Sequence, residues 1–102
     1  MGASMKLRAS VEAGVVTLKV MIRHPMESGS RKDERGRTVP AHFVKEVVVN
    51  HGARTVMTAH WGGGVARNPY FSIQFREGKA GDTVSVRWLD NLGSRDSASI
   101  VI

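Results

Sequence analysis

Apolar residues in this chain recur with a period of two over stretch after stretch, and that pattern limits it to β-structure. In VVTLKVMI, residues 15–22, Val16, Leu18, Val20 and Ile22 fall on one side and Thr17 and Lys19 on the other. YFSIQFR, residues 70–76, alternates Phe71, Ile73 and Phe75 with Ser72, Gln74 and Arg76. TVSVRWLD, residues 83–90, sets Val84, Val86 and Trp88 against Ser85 and Arg87. Each run reads as a strand with one packed and one wet face, as in antiparallel sheets. Weaker strands are expected at 5–11, 43–50, 54–60 and 96–101, separated by turn signals such as Glu12-Ala13-Gly14 and Asp90-Asn91-Leu92-Gly93. No useful length of sequence carries a 3.6-residue apolar period. Seven short strands joined by tight turns predict an all-β, immunoglobulin-like antiparallel β-sandwich, with a small barrel of OB type as the rival.

At 102 residues the chain is one domain. Residues 1–4, Met-Gly-Ala-Ser, read as a cloning remnant ahead of a native Met5, leaving 5–102 as the folding unit. The apolar runs are far shorter than a bilayer span, and no signal-peptide core follows Met1 or Met5. There is no cysteine, which excludes a disulfide framework, a thiol nucleophile and cysteine-ligated metal within these residues. A formal charge of +6 favours anionic partners: nucleic acid, oxyanions or an acidic protein.

Two connections are too long for hairpins, the stretch between Arg23 and Ala41 and WGGGVARNP at 61–69. Loops of such length in a small domain are usually functional or disordered. Pro25, Pro40 and Pro69 stiffen them, so ordered loops are expected. His24, His42, His51 and His60 lack the spacing of a zinc motif, and hydrogen-bonded histidines are expected in preference to metal ligands. Gly62-Gly63-Gly64 is not followed by Gly-Lys-Ser/Thr and leads into a strand, so it reads as a corner where backbone passes closely or as a smooth docking surface, not as a phosphate cradle. No nucleophile elbow occurs, and Glu27, Asp33 and Glu34 sit in a charged loop where water keeps carboxylates ordinary. The chain is therefore not expected to be an enzyme. A basic barrel or sandwich module binding nucleic acid is the alternative. It is disfavoured because Phe71, Phe75 and Trp88 point inward, leaving Tyr70 and Trp61 for stacking.

The run His24-Pro25-Met26-Glu27-Ser28-Gly29-Ser30-Arg31-Lys32-Asp33, then Gly36, then Val39-Pro40-Ala41-His42-Phe43, resembles the H-P-M-E signature of the SoxZ family of bacterial sulfur oxidation. The likeness continues through Trp61-Gly62, Asn68-Pro69-Tyr70-Phe71, Ala80-Gly81-Asp82 and Trp88-Leu89-Asp90-Asn91-Leu92-Gly93. The resemblance implies a non-catalytic subunit of the SoxYZ heterodimer, whose partner SoxY holds sulfur intermediates of thiosulfate oxidation on a cysteine arm. It also implies no cofactor or metal, transient contacts with other Sox enzymes, and export to the periplasm together with SoxY. No nucleic acid or membrane is expected as a partner, and self-association of the isolated chain, with its partner face bare, is left open by the sequence.

On that reading the SoxY interface comprises Pro25, Met26, Glu27, Arg31, Lys32, Val39, Pro40, Trp61, Asn68, Pro69 and Tyr70. Pro25, Met26, Val39 and Pro40 would bury against the partner, within a rim of cations that steers it. Arg31 or Lys32 would also suit a nearby sulfur oxyanion. Met26→Asp is then expected to break the complex while leaving the fold intact. The plainer alternative is that Glu27, Arg31 and Asp33 tie the loop to itself and that Trp61 is a core lid.

Overall fold

The computed structural model describes residues 2–102, and among these every regular element is a strand. In chain order they are β1 (Met5–Glu12), β2 (Val15–Ile22), β3 (Val44–His51), β4 (Arg54–His60), β5 (Tyr70–Phe75), β6 (Thr83–Asp90) and β7 (Arg95–Val101). Each lies within a residue of its predicted ends, because period-two burial and the turn residues that stop it are both local signals. No helix long and apolar enough to cross a membrane occurs among the described residues.

The strands form two antiparallel sheets, ordered β1-β2-β5 and β4-β3-β6-β7. This is an immunoglobulin-like sandwich in which the fourth strand pairs with the third; in the constant-type arrangement it would join the fifth. The sheets do not close on themselves, which excludes the OB barrel. The alternation seen in the sequence becomes the core directly: Leu18, Val20 and Ile22 of one sheet face Val47, Val49, Val84, Val86 and Trp88 of the other. Phe71, Ile73 and Phe75 point inward as expected but stay half-buried, since β5 is an edge strand whose outer flank has no neighbour.

One end of the sandwich is drawn out. The molecule measures 54 × 21 × 20 Å, whereas an eight-residue strand spans about 27 Å. The excess is the 23–43 connection, which runs out as a narrow two-stranded ribbon, bridged at Glu27 with His42 and at Lys32 with Thr38. Residues 2–4, set aside in the sequence reading, are also seated. The Gly2 and Ser4 amides donate to the two Asp96 oxygens at 2.6 and 3.1 Å, and the Ser4 hydroxyl accepts the Trp88 indole N–H at 3.1 Å.

At the opposite end Gly78 is held by close packing. Its N–H donates to the Gly14 carbonyl at 3.0 Å, and a Cβ there would fall inside the van der Waals shell of Val16, which is fully buried. Gly78→Ala is expected to destabilise the protein by about 2 kcal/mol, the scale of overpacking in a tight core. Denaturant unfolding checks this. A variant as stable as the parent would show that the Val16 contact relaxes freely.

Candidate partner interface

The long ribbon is ordered because its two ends are fastened to the core through one buried carboxylate. The inward phase of β6 runs Val84, Val86, Trp88 and then Asp90, which is 1% exposed. Asp90 Oδ1 accepts the Leu92 and Ser94 amides at 3.0 and 2.8 Å, closing the turn into β7. Its Oδ2 faces His24 Nε2 at 3.1 Å and His42 Nε2 at 2.9 Å, one from each strand of the ribbon. Burial by itself would push this carboxyl up. The hydrogen bonds from His24, His42, Ser94 and Leu92 outweigh it and hold the group below its ordinary value. Asp90 is thus an anion satisfied by four donors.

An ionised carboxylate only accepts, so both Nε2 atoms carry protons toward it. His24 agrees on independent grounds, because its Nδ1 accepts the Met26 amide at 3.2 Å and so has no proton of its own. His24, His42 and, at the other end of the sandwich, His51 are hydrogen-bonded, as expected, whereas His60 is exposed. His24, His42 and Asp90 do converge in the manner of a metal-binding trio, their ligand atoms within 4.8 Å of one another. An ion on His24 Nε2 would need a proton on Nδ1, opposing the Met26 N–H, where metal-bound imidazoles normally find an acceptor. The arrangement fits a clamp better than a metal centre.

Further fastenings surround the clamp. The His24 amide donates to Asn68 Oδ1 at 3.1 Å and the Asn68 amide to the His24 carbonyl at 3.0 Å, locking the ribbon's entrance to the 61–69 loop. At its exit Asn91 donates to the Ala41 carbonyl at 2.9 Å and accepts the Phe43 amide at 2.8 Å. Gly63 passes so near the ribbon that a Cβ would lie 2.7 Å from Ser28 Cα, the close backbone approach that glycine permits. Trp61 packs half-buried, edge-on, against Phe71 at 5.9 Å.

Two residues assigned to the interface from sequence prove to be supports. Met26 is 6% exposed, with φ of 51°, and its sulfur accepts the Val44 amide at 3.3 Å. It continues the inward phase of β2 through Ile22 and His24, so it belongs to the core and not to an exposed patch. Pro69 is likewise buried, its carbonyl accepting the Ile22 amide at 2.9 Å. Asn68 is exposed, but its amide group serves the His24 backbone.

The remaining candidates lie at the surface. Pro25, Arg31, Lys32, Pro40 and Tyr70 are exposed, while Glu27, Val39 and Trp61 are half-buried. Arg31 is engaged by Glu27 in a two-point contact at 2.9 and 2.7 Å. The Arg31 hydrogen bond holds the Glu27 carboxyl below its usual range, and the same bond raises Arg31. Arg31 is therefore committed within the loop, as the plainer reading had it, and an oxyanion would have to compete with Glu27 for it. At the ribbon tip Asp33 Oδ1 accepts the Arg35 and Arg37 amides at 2.9 and 3.0 Å, shaping the turn.

Sequence reasoning missed the clamp. The signal was present in the alternation itself, which carries on past the apolar residues to Asp90 on one strand and to His24 on another. A polar residue at an inward position demands a buried partner.

An ordered, polar-anchored ribbon on an immunoglobulin-like sandwich places the chain among small all-β modules that carry a long structured loop at one end. Comparison with family models identifies which: the model of sulphur oxidation protein SoxZ matches residues 5–101, and the chain belongs to that family. A search of curated proteins returned no match.

Two outcomes test the clamp. Asp90 is held below its ordinary 3.8, so the stability it adds is present above that value and disappears as pH falls through the lowered one. Asp90→Asn is expected to cost about 3 kcal/mol at neutral pH and to flatten the acid limb of the stability profile. Denaturation measured across pH checks both, and an unchanged acid limb would remove Asp90 from the account. Met26→Asp is expected to unfold the domain or cost at least about 3 kcal/mol, by leaving a charge in the core. Circular dichroism reads this without any partner present.

Proposed function

We propose that this chain is the non-catalytic half of a SoxYZ heterodimer, holding SoxY while sulfur intermediates of thiosulfate oxidation ride on a cysteine arm of that partner. Membership of the SoxZ family supports a role in sulfur oxidation. The observation that carries the finer reading is the rigid ribbon. Its signature residues His24, Met26, Asn68, Asp90 and Asn91 are spent on holding it, and exposed Pro25 and Pro40 are left outward with little entropy to lose on binding. The 102 residues hold no cysteine, which accords with a covalent sulfur carrier whose thiol belongs to the partner. The partner surface in this proposal comprises Pro25, Lys32, Val39, Pro40 and Trp61; Tyr70, in register with Met21 and Lys6, lies instead on the outer face of the β1-β2-β5 sheet. The periplasm, as the compartment of the heterodimer, belongs to the same proposal.

Calorimetric titration with SoxY, with chromatography of the mixture, is expected to give a one-to-one complex. The double variant Pro25→Asp with Pro40→Asp is expected to keep the parent's melting behaviour and to lose at least about tenfold in affinity, since it buries uncompensated charge at the contact. Parent-like affinity in a folded double variant would take the interface off the ribbon. Absence of binding between two folded proteins would leave membership of the family without the carrier role.

A further inference from the structure

The outer face of the β1-β2-β5 sheet is charged in a way that neither the fold nor the ribbon explains. Cross-strand register places its residues in rows: Lys6, Met21 and Tyr70 in one, and Arg8, Lys19 and Ser72 in the next. Arg8 and Lys19 are direct cross-strand partners, a like-charge pairing that costs stability. Among the described residues, none of Lys6, Arg8 and Lys19 has an ion-pair partner, whereas Arg31, Arg37 and Arg54 each have one. The acidic residue on this face, Glu12, lies four positions along β1 from Arg8, about 13 Å away. Arg23, which continues the outward phase of β2, extends the basic surface toward the ribbon.

Apolar surface is set among these cations. Met21 is 44% exposed and Tyr70 59% exposed, and both line an open depression with Lys6, Arg8 and Lys19. Tyrosine, methionine and arginine at the middle of a patch are the residue types enriched in protein interfaces. Separate exposed cations in water hold a small anion weakly. A broad acidic surface, by contrast, engages them all together and relieves their mutual repulsion.

We propose that this sheet face is a second docking surface, for an acidic protein partner. It rests on the charge and composition of the face alone and does not require SoxY to occupy the ribbon. The cations stand on paired strands of one sheet, so the partner is met by a preformed platform, and the association is governed by electrostatic steering with steep salt dependence.

The test uses poly-L-glutamate as the probe of acidic polypeptide and an oligo-dT strand as the probe of nucleic acid, against the full chain. The variant Lys6→Glu, Arg8→Glu, Lys19→Glu is compared with an off-face variant of equal charge change, Arg35→Glu, Arg87→Glu, Arg95→Glu, whose three residues are exposed and lie outside both proposed surfaces. Poly-L-glutamate binding is expected to weaken at least about tenfold in the sheet variant and less than about twofold in the off-face variant. Equal weakening in both would reduce the effect to net charge and overturn the proposal. Tighter binding of the oligonucleotide than of poly-L-glutamate would overturn it in favour of nucleic acid. Titration with SoxY separates the two surfaces: affinity within about twofold of the parent in the sheet variant supports a second site, and its loss would merge this face with the SoxY interface and overturn the assignment.

Discussion

A single buried carboxylate governs the working end of this molecule. Asp90 sits at the last inward position of a core strand, where an ion without partners would cost several kcal/mol. Its four donors come from two places, the turn into β7 and the two strands of the 23–43 ribbon. The ribbon ends cannot leave without abandoning the charge, so the order of a surface excursion is tied to the stability of the core. Loops of this length are ordinarily the most mobile part of a small domain. Here the base of the loop behaves as core.

That arrangement explains how the family's motifs divide between inside and outside. His24, Met26, Asn68 and Asn91 face each other and the backbone, and they define the shape of the end of the sandwich. Glu27 and Arg31 neutralise one another along the ribbon. What reaches solvent is rigid proline, half-buried Val39 and Trp61, and cations. The outer face of the three-stranded sheet is built on the opposite principle, with cations left uncompensated across adjacent strands. One surface is shaped by internal satisfaction and the other by unsatisfied charge, the contrast on which separate partners are proposed for them.

Much of the fold was legible because strand formation is read from neighbours. The alternations at β2, β5 and β6 and the turn residues between strands are local, and they located seven strands to within a residue. The site was legible only in outline. The two long loops stood out by length and proline content, and the family resemblance rested on their residues. The role of Met26 was misjudged because a methionine in a charged loop looks like exposed interface. Its phase with Ile22 and His24 was the better guide, and it was hidden by the break in apolar sequence at Arg23. Asp90 was taken for a turn residue, which it also is, since one oxygen caps the turn while the other faces the histidines.

The amino-acid sequence by itself determined the class of structure, the strands, the phase of each strand's buried face and the family. These follow from side-chain period, turn chemistry and motif, which need no knowledge of which strand lies beside which. Only the tertiary structure decided that His24, His42 and Asp90 share one oxygen, although 66 and 48 residues separate the histidines from the aspartate. Only the sheet register decided that Arg8 lies opposite Lys19. The physical reason is the same in both cases: hydrogen bonds and charge repulsion act over a few ångströms, and those distances exist only once the strands have paired and the sheets have packed.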